Sequence, residues 1–115
     1  MDRTKLLLAA LAIAVPSLAL AQGNGVTGDT TIVAGGAAQT LFNGKVPALG
    51  YAVSNPSLAG DCWVSDSATA APNAAGSHRV AANGGEYRSP AGYKPQGPVT
   101  AYCPTTGAPI SAEAW

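Results

Sequence analysis

The residues of this chain that could take part in catalysis are few, and they form no recognisable motif. His78 is the single histidine, and no motif places a nucleophile beside it. Asp66 stands between Ser65 and Ser67, but the Gly-x-Ser-x-Gly turn that exposes a catalytic serine is absent. We therefore expect His78 to be an exposed strand residue, and we expect the protein not to be an enzyme.

The residue types also give little support to a metal site. A structural zinc site needs several Cys or His ligands at fixed spacing, and the chain has 1 histidine and 2 cysteines. Asp29, Asp61 and Asp66 suggest a calcium site on a loop, but their spacing matches no calcium-binding loop and aspartate is common in turns. The sequence predicts neither a metal nor a cofactor.

The start of the chain has the pattern of a secretory signal peptide. Asp2, Arg3 and Lys5 form a short charged segment, an apolar run follows from Leu6 to Val15, and small residues precede Gln22. The apolar run is too short to cross a bilayer of about 30 Å as a helix. We expect residues 1–21 to be a cleavable signal helix, the remaining chain to have no membrane span, and the protein to be exported to the periplasm or the extracellular space.

The two cysteines fit an exported protein. In an oxidising compartment an even pair most simply forms one bridge, and neither Cys62 nor Cys103 lies in a Cys-x-x-Cys pair or beside a basic residue that would lower the pKa of the thiol. We predict an intrachain Cys62–Cys103 disulfide, with a bridge between chains of an oligomer as the alternative. The Cα atoms of bridged cysteines lie within about 7 Å of each other. The predicted strands that contain Cys62 and Cys103 are therefore neighbours in one sheet or face each other across the core.

Charge and composition exclude several classes of partner. The net charge is zero, and the basic residues after residue 21 are few and scattered: Lys45, Arg79, Arg88 and Lys94. A nucleic-acid-binding protein concentrates Lys and Arg on one face, and a membrane-surface patch needs a basic cluster. We expect no nucleic-acid partner and no polybasic membrane patch.

Glycine and proline predict an all-β fold. All 14 glycines and all but one of the 9 prolines lie after residue 21, so no long stretch is free to form an amphipathic helix. Short β-favouring segments alternate with turn signals. They cover 30–34, 38–42, 50–54, 61–65, 77–81, 86–88, 99–103 and 110–115. We predict one small antiparallel β-sandwich, jelly-roll or immunoglobulin-like, with about seven or eight short strands over residues 30–115. A flexible Gly-rich lead-in is expected over residues 22–29.

Aromatic side chains are the remaining candidates for a binding surface. Trp63 and Tyr102 occupy the centres of predicted strands, so we expect them in the core. The proline-rich segment 89–98 is expected to be an ordered loop. Tyr87, Tyr93 and Trp115 are freer to face a partner. The candidate contact surface consists of these three aromatic residues together with one lysine: Tyr87, Tyr93, Lys94 and Trp115.

Two long segments resemble a known group of proteins. NPSLAGDCWVSDS at 55–67 and GSHRVAANGGEYRSPAGYKPQGPVTAYCPTTG at 76–107 are similar to small β-structured accessory proteins encoded among the structural genes of tailed bacteriophages and prophages. The similarity is in turns and strands rather than in a catalytic motif. It implies a non-enzymatic decoration or fibre-type protein that presents a rigid sandwich at a virion surface and assembles by repeated contacts.

Two functional hypotheses follow. The first is an exported structural or interaction module that contacts a protein partner or further copies of itself, in a virion or in the cell envelope. The second is a secreted carbohydrate-binding module in which Tyr87, Tyr93 and Trp115 stack on sugar rings.

Overall fold

The computed structural model describes residues 26–115 as two antiparallel β-sheets packed face to face, which confirms the predicted small β-sandwich. The predicted signal peptide at 1–21 lies outside the described residues. A short 3-10 turn, Phe42–Gly44, separates the third and fourth strands. The strands are β1 (Val26–Thr27), β2 (Thr30–Thr31), β3 (Ala38–Thr40), β4 (Tyr51–Asn55), β5 (Cys62–Ser65), β6 (His78–Val80), β7 (Gly85–Arg88), β8 (Thr100–Tyr102) and β9 (Pro109–Ala114).

The first sheet is built around β9. Strands β1 and β2 pair with successive parts of one edge of β9, β4 pairs with its other edge, and β7 pairs with β4. Along β9 the side chains of Ile110, Ala112 and Ala114 are buried, whereas Ser111 and Glu113 are exposed. Because successive strand residues point to opposite faces, this sheet covers the core with one face and meets solvent with the other.

The second sheet has the order β3-β8-β5-β6. Cys62 and Val64 point into the core, and Trp63 points to the outer face, as the alternation along β5 predicts. Trp63 lies opposite Tyr102 of β8, and both are half-buried outside the core cluster. The expectation that Trp63 and Tyr102 lie in the core is therefore wrong, because the register that buries Cys62 and Val64 turns both aromatic rings outward.

The disulfide joins neighbouring strands of this second sheet. Cys62 begins β5 and Cys103 follows β8 directly, and their Cα atoms are 4.4 Å apart across a sequence separation of 41 residues. The bridge confirms the predicted pairing. Of the two arrangements left open by the sequence, the structure has adjacent strands within one sheet.

Connections between the strands gather at two opposite ends of the sandwich. One end, which we call the Leu58 end, holds the loops at 32–37, 56–61, 81–84 and 103–108. The other end, the Trp115 end, holds Trp115 and the loops at 41–50, 66–77 and 89–99. The Ala-rich part of the 66–77 loop contains no helix, and Pro72 within it would interrupt one.

Every predicted β-segment overlaps an observed strand, but the sheet begins earlier than expected. Val26–Thr27 pairs with Glu113 and Ala114, and the N–H of Gly28 donates a 2.8 Å hydrogen bond to the carbonyl of Ala112. The part of the 22–29 lead-in that the structure describes therefore belongs to the first sheet from Val26 onward. A two-residue strand between glycines carries too little pattern to be recognised without its partner strand.

Side-chain contacts close the sandwich along both pairs of sheet edges. Between β3 and β2, the Gln39 side-chain oxygen accepts from the N–H of Val33 at 2.9 Å, and its nitrogen donates to the Thr31 carbonyl at 3.0 Å. Between β6 and β7, the His78 and Tyr87 rings stack with centroids 4.1 Å apart. These contacts hinder the addition of a further strand at the edges.

Candidate contact surface

Three of the predicted contact residues come together at the Trp115 end. Tyr93, Lys94 and Trp115 line an open groove of about 500 Å³, which we call the aromatic groove. Its other walls include the exposed side chain of Leu49 and the guanidinium of Arg88. The groove thus combines two aromatic rings and an aliphatic side chain with two cationic groups.

Trp115 is held in the groove by backbone pairing with the end of the 41–50 loop. Its N–H donates to the carbonyl of Gly50 at 3.0 Å, and its own carbonyl accepts from Leu49 at 2.8 Å and Gly50 at 3.1 Å. A Cβ added at Gly50 would lie 2.9 Å from the Trp115 ring, so the indole requires glycine there. The Arg88 guanidinium carbon lies 5.0 Å from the ring centroid, within the range of a cation–π interaction.

Arg88 crosses the outer face of the first sheet between two carboxylates. It lies 3.4 Å from Glu86 and 3.4 Å from Glu113, and all three side chains are at least half exposed. Exposed ion pairs contribute little to stability. Their effect here is to keep the guanidinium beside Trp115 and to offset part of its charge.

Tyr93 is fixed from below by a buried carboxylate. Asp66, which is 3 % exposed, accepts hydrogen bonds from the Tyr93 hydroxyl at 2.8 Å, the Gln96 N–H at 2.9 Å and the Tyr51 hydroxyl at 3.2 Å. The hydrogen bond to Asp66 raises the pKa of Tyr93, and burial together with the Asp66 charge raises that of Tyr51. Two bonds to the 89–99 loop and one to β4 therefore tie the groove to the core.

Tyr87 lies away from the groove, unlike the other predicted contact residues. It points from β7 toward the core, with its ring stacked on His78 and 5.9 Å from the ring of Tyr51. Burial, followed by the Asp66 charge, raises the pKa of Tyr87. Tyr87, which the sequence assigned to the contact surface, therefore packs against the core and helps to close the sandwich. His78 is half-buried against the Tyr87 ring.

A second groove adjoins the first. This apolar groove, of about 190 Å³, is lined by Val26, Phe42 and Val46, and it shares Ala48 and Trp115 with the aromatic groove. Phe42 has φ of +54°, a left-handed conformation that is unusual for a bulky residue. Its ring contacts the backbone at Gly28, where an added Cβ would lie 2.6 Å from it.

The remaining candidates for chemistry serve as local hydrogen-bond partners. Ser65 Oγ accepts from the N–H of Ser67 at 3.3 Å, which forms part of a turn. Asp29 accepts from the N–H of Ala112 at 2.8 Å, and Asp61 accepts from the N–H of Ala82 at 2.9 Å and from Arg79 at 2.7 Å. Within residues 26–115 no three Cys, His, Asp or Glu side chains lie close enough together to hold a metal ion.

Asp66, the polar residue of the site with the most hydrogen-bond partners, could not be recognised from local sequence. Asp66 follows β5 and is flanked by serines, so by type and position it is an ordinary turn residue. Its burial depends on Tyr51 from the first sheet and on Tyr93 from a loop 27 residues later. Only the packing of the sheets brings these groups together.

Comparison with known protein families, with curated proteins and with solved structures finds no match for this chain. In the part of the chain that the structure describes, no helix is long and apolar enough to cross a membrane.

Proposed function

We propose that this protein is an exported, non-enzymatic structural or interaction module that acts through contacts made at the Trp115 end of its sandwich. The observation that carries the proposal is the aromatic groove, where Tyr93, Lys94 and Trp115 meet on a rigid support. Interfaces are enriched in Tyr, Trp and Arg, and the two aromatic types bury large areas at low entropic cost. All three residue types line this groove.

Preorganisation of the groove supports a binding role. Binding is weakened when side chains and loops must be ordered at the interface. Here Asp66 fixes Tyr93 and Gln96 of the 89–99 loop, and the backbone of Gly50 fixes Trp115. The residues that would contact a partner are therefore already held in place, so little of the interaction energy is lost to ordering.

Export is supported by the Cys62–Cys103 disulfide together with the predicted signal peptide. Structural disulfides persist in oxidising compartments and are rare in the cytosol. We assign the protein to the periplasm, the extracellular space or a virion surface. The resemblance to phage accessory proteins favours a decoration or fibre-type role, in which the rigid sandwich makes repeated contacts.

A carbohydrate-binding role is the second candidate, and the aromatic groove favours it over other ligand classes. Tyr93 and Trp115 offer ring faces, while Lys94 and Arg88 offer donors to hydroxyl or carboxylate groups. Tyr87 would take no part, since its ring is stacked on His78. This candidate predicts binding on a glycan array that Tyr93→Ala abolishes, whereas silence across the array would remove it.

Co-sedimentation with cell envelopes or virions of the native host tests the proposed function. We expect the wild-type protein to pellet with one of them, and Trp115→Ala and Lys94→Glu each to weaken binding by at least about tenfold. Trp63→Ala is the matched control, because it removes a half-buried tryptophan from the outer face of the second sheet. No pelleting, or equal losses in Trp63→Ala and Trp115→Ala, would contradict the assignment of this surface.

A further inference from the structure

Exposed apolar side chains form one patch across the two grooves of the Trp115 end. Leu49, which is 71 % exposed, lines the aromatic groove, and Val46 and Val26, each about half exposed, line the apolar groove. The two grooves meet at Ala48 and Trp115, which line both. Single exposed aliphatic residues are common on protein surfaces, whereas a contiguous apolar patch marks a site that meets another protein or a membrane.

The aromatic rings of this patch are of the types that concentrate at membrane interfaces. Trp115 lines both grooves and Tyr93 lines the aromatic groove. Trp and Tyr side chains are amphipathic, and they are enriched where acyl chains meet head groups. Stacking on a sugar would use the two rings but would leave Leu49, Val46 and Val26 in water. A bilayer takes up the rings and the aliphatic side chains together.

Both lysines of residues 26–115 lie at the same patch. Lys45 lines the apolar groove and Lys94 the aromatic groove, no acidic residue lines either groove, and neither lysine forms an ion pair with a described carboxylate. The described arginines are paired, Arg79 with Asp61 and Arg88 with two glutamates. Two lysines are too few for a polybasic patch, so their attraction to anionic head groups adds to the apolar contacts and does not replace them.

The Leu58 end lacks this combination. Val33 and Leu58 are each 79 % exposed there. However, the loops of that end contain no aromatic residue, no lysine and no arginine. Exposed aliphatic side chains therefore occur at both ends, but only at the Trp115 end are they accompanied by aromatic rings and unpaired cations.

The path of the chain puts the same end beside the membrane during export. Val26 begins β1, pairs with Ala114 and lines the apolar groove, so the residues before it join the sandwich at the Trp115 end. Those residues include the apolar run from Leu6 to Val15, which predicts the signal peptide. Because a signal peptide is held in the bilayer until it is cleaved, the sandwich leaves export with its Trp115 end nearest the lipid.

We propose that the Trp115 end docks on the surface of a lipid bilayer that carries anionic head groups. This inference rests on the proposed function, because it names envelope lipid as the partner at that end. The three aliphatic side chains enter the boundary between head groups and acyl chains, the two rings lie at the level of the head groups, and the two lysines contact the phosphates. Since Asp66 and Gly50 already hold Tyr93 and Trp115 in place, docking requires little further ordering.

Flotation with vesicles of equal parts phosphatidylglycerol and phosphatidylcholine tests the proposal. We expect the purified, exported protein to float with them, and Leu49→Asp to lose at least about tenfold in affinity because it removes an inserted side chain. Lys94→Glu should also lose at least about tenfold on these vesicles, since an anionic surface repels the new charge, but little on pure phosphatidylcholine. Added salt should weaken binding of the wild type to the anionic vesicles, because it screens exposed charges.

Tryptophan fluorescence tests which surface makes the contact. The chain has 2 tryptophans, so Trp63→Phe leaves Trp115 as the only fluorescent indole. In this variant we expect a blue shift of the emission on vesicles and quenching by brominated acyl chains. Vesicle binding without either change would mean that another surface docks, which would overturn the proposal.

Leu58→Asp is the matched control, because it makes the same change at an exposed leucine of the opposite end. It should bind vesicles like the wild type, and unchanged melting curves for all four variants would show that they fold. A wild-type protein that binds no vesicles overturns the proposal, and so do equal losses in Leu49→Asp and Leu58→Asp. If either result appears while Trp115→Ala still abolishes pelleting with envelopes or virions, the proposed function stands and the partner is a protein or a glycan instead of lipid.

Discussion

The phenol oxygen of Tyr93 lies 2.8 Å from Oδ2 of Asp66, and this hydrogen bond connects the exposed aromatic groove to the interior of the sandwich. The same carboxylate accepts from the Tyr51 hydroxyl on β4, in the opposite sheet from β5, which Asp66 follows. One buried side chain therefore holds together the two sheets and the proline-rich loop. Buried polar groups of this kind are costly to leave without partners, so the position of the loop and the stability of the fold are coupled.

Replacing Asp66 with asparagine should lower the free energy of unfolding by about 2 kcal/mol. The amide keeps the size of the side chain, but its nitrogen cannot accept the bonds that the carboxylate oxygen accepted. Urea unfolding measures the loss, and faster hydrogen exchange at the Gln96 amide would locate it in the 89–99 loop.

Asp29→Asn is the control for this change, because Asp29 is exposed and water can replace the bonds that it accepts. We expect a clearly smaller loss from it. Equal losses at the two positions would mean that the buried network contributes no more than an ordinary surface bond.

Reduction of the disulfide should lower the thermal midpoint strongly. Cys62 and Cys103 close a loop of 41 residues, which lowers the conformational entropy of the unfolded chain. On this account the bridge raises the free energy of unfolding by about 4 kcal/mol. For a domain of this size, a loss of that magnitude corresponds to a drop of more than about 15 °C. Calorimetry with and without reductant measures it, and Cys62→Ala/Cys103→Ala should match the reduced protein. An unchanged midpoint would contradict the stabilising role of the bridge.

High pH should destabilise the protein through Tyr51. The unfolded chain ionises its tyrosines near about pH 10, whereas burial and the Asp66 charge raise the pKa of Tyr51 in the folded protein. Above that pH the folded state holds a proton that the unfolded state has released, so the free energy of unfolding falls as the pH rises. Below about pH 10 both states carry the proton and the full stability is present.

Urea unfolding at a series of pH values from about 8 to about 11 tests this dependence. Tyr51→Phe should be less stable at neutral pH, since it loses the bond to Asp66, but its stability should fall less steeply above pH 10. Parallel curves for the two proteins would show that Tyr51 is not the group responsible.

Gly85→Ala, at the first residue of β7, should be strongly destabilising. A Cβ at Gly85 would meet the backbone of Ala81, at 2.6 Å from its nitrogen, and backbone cannot move aside as a side chain can. We expect a loss of about 3 kcal/mol. Gly92→Ala, with φ of +80° and no atom within 4 Å of the new Cβ, should cost only about 1 kcal/mol of backbone strain. Thermal or urea unfolding of both variants decides the comparison.

The positions of strands and turns could be predicted from local pattern, but the direction of several aromatic side chains could not. The side chains of Cys62, Trp63 and Val64 alternate along β5, and that alternation was sufficient to place the tryptophan on the other face of the strand from the cysteine. It did not say which of the two faces meets the core. The choice depends on whether Cys62 pairs with Cys103 inside the sandwich, and this pairing spans 41 residues of sequence.

Tyr87 and Tyr93 show the same limit at the contact surface. Tyr87 precedes the proline-rich segment and Tyr93 lies within it, and no local pattern assigned the two to different surfaces. The register of β7 with β4 places Tyr87 opposite Val53 on the core-facing side. Tyr93 is instead turned by its hydroxyl toward Asp66, a contact that exists only after the 89–99 loop has folded against the 66–77 loop.

The sequence by itself determined the all-strand architecture, the approximate position of each predicted strand and the cysteine pair, because breakers, two-residue alternation and residue type act over short stretches of chain. The tertiary structure alone decided that Asp66 is buried beneath Tyr93, that Trp63 and Tyr102 face outward, and that Tyr93, Lys94 and Trp115 line one groove. These features depend on how distant segments pack, and no local pattern carries information about which loops share an end of a sandwich.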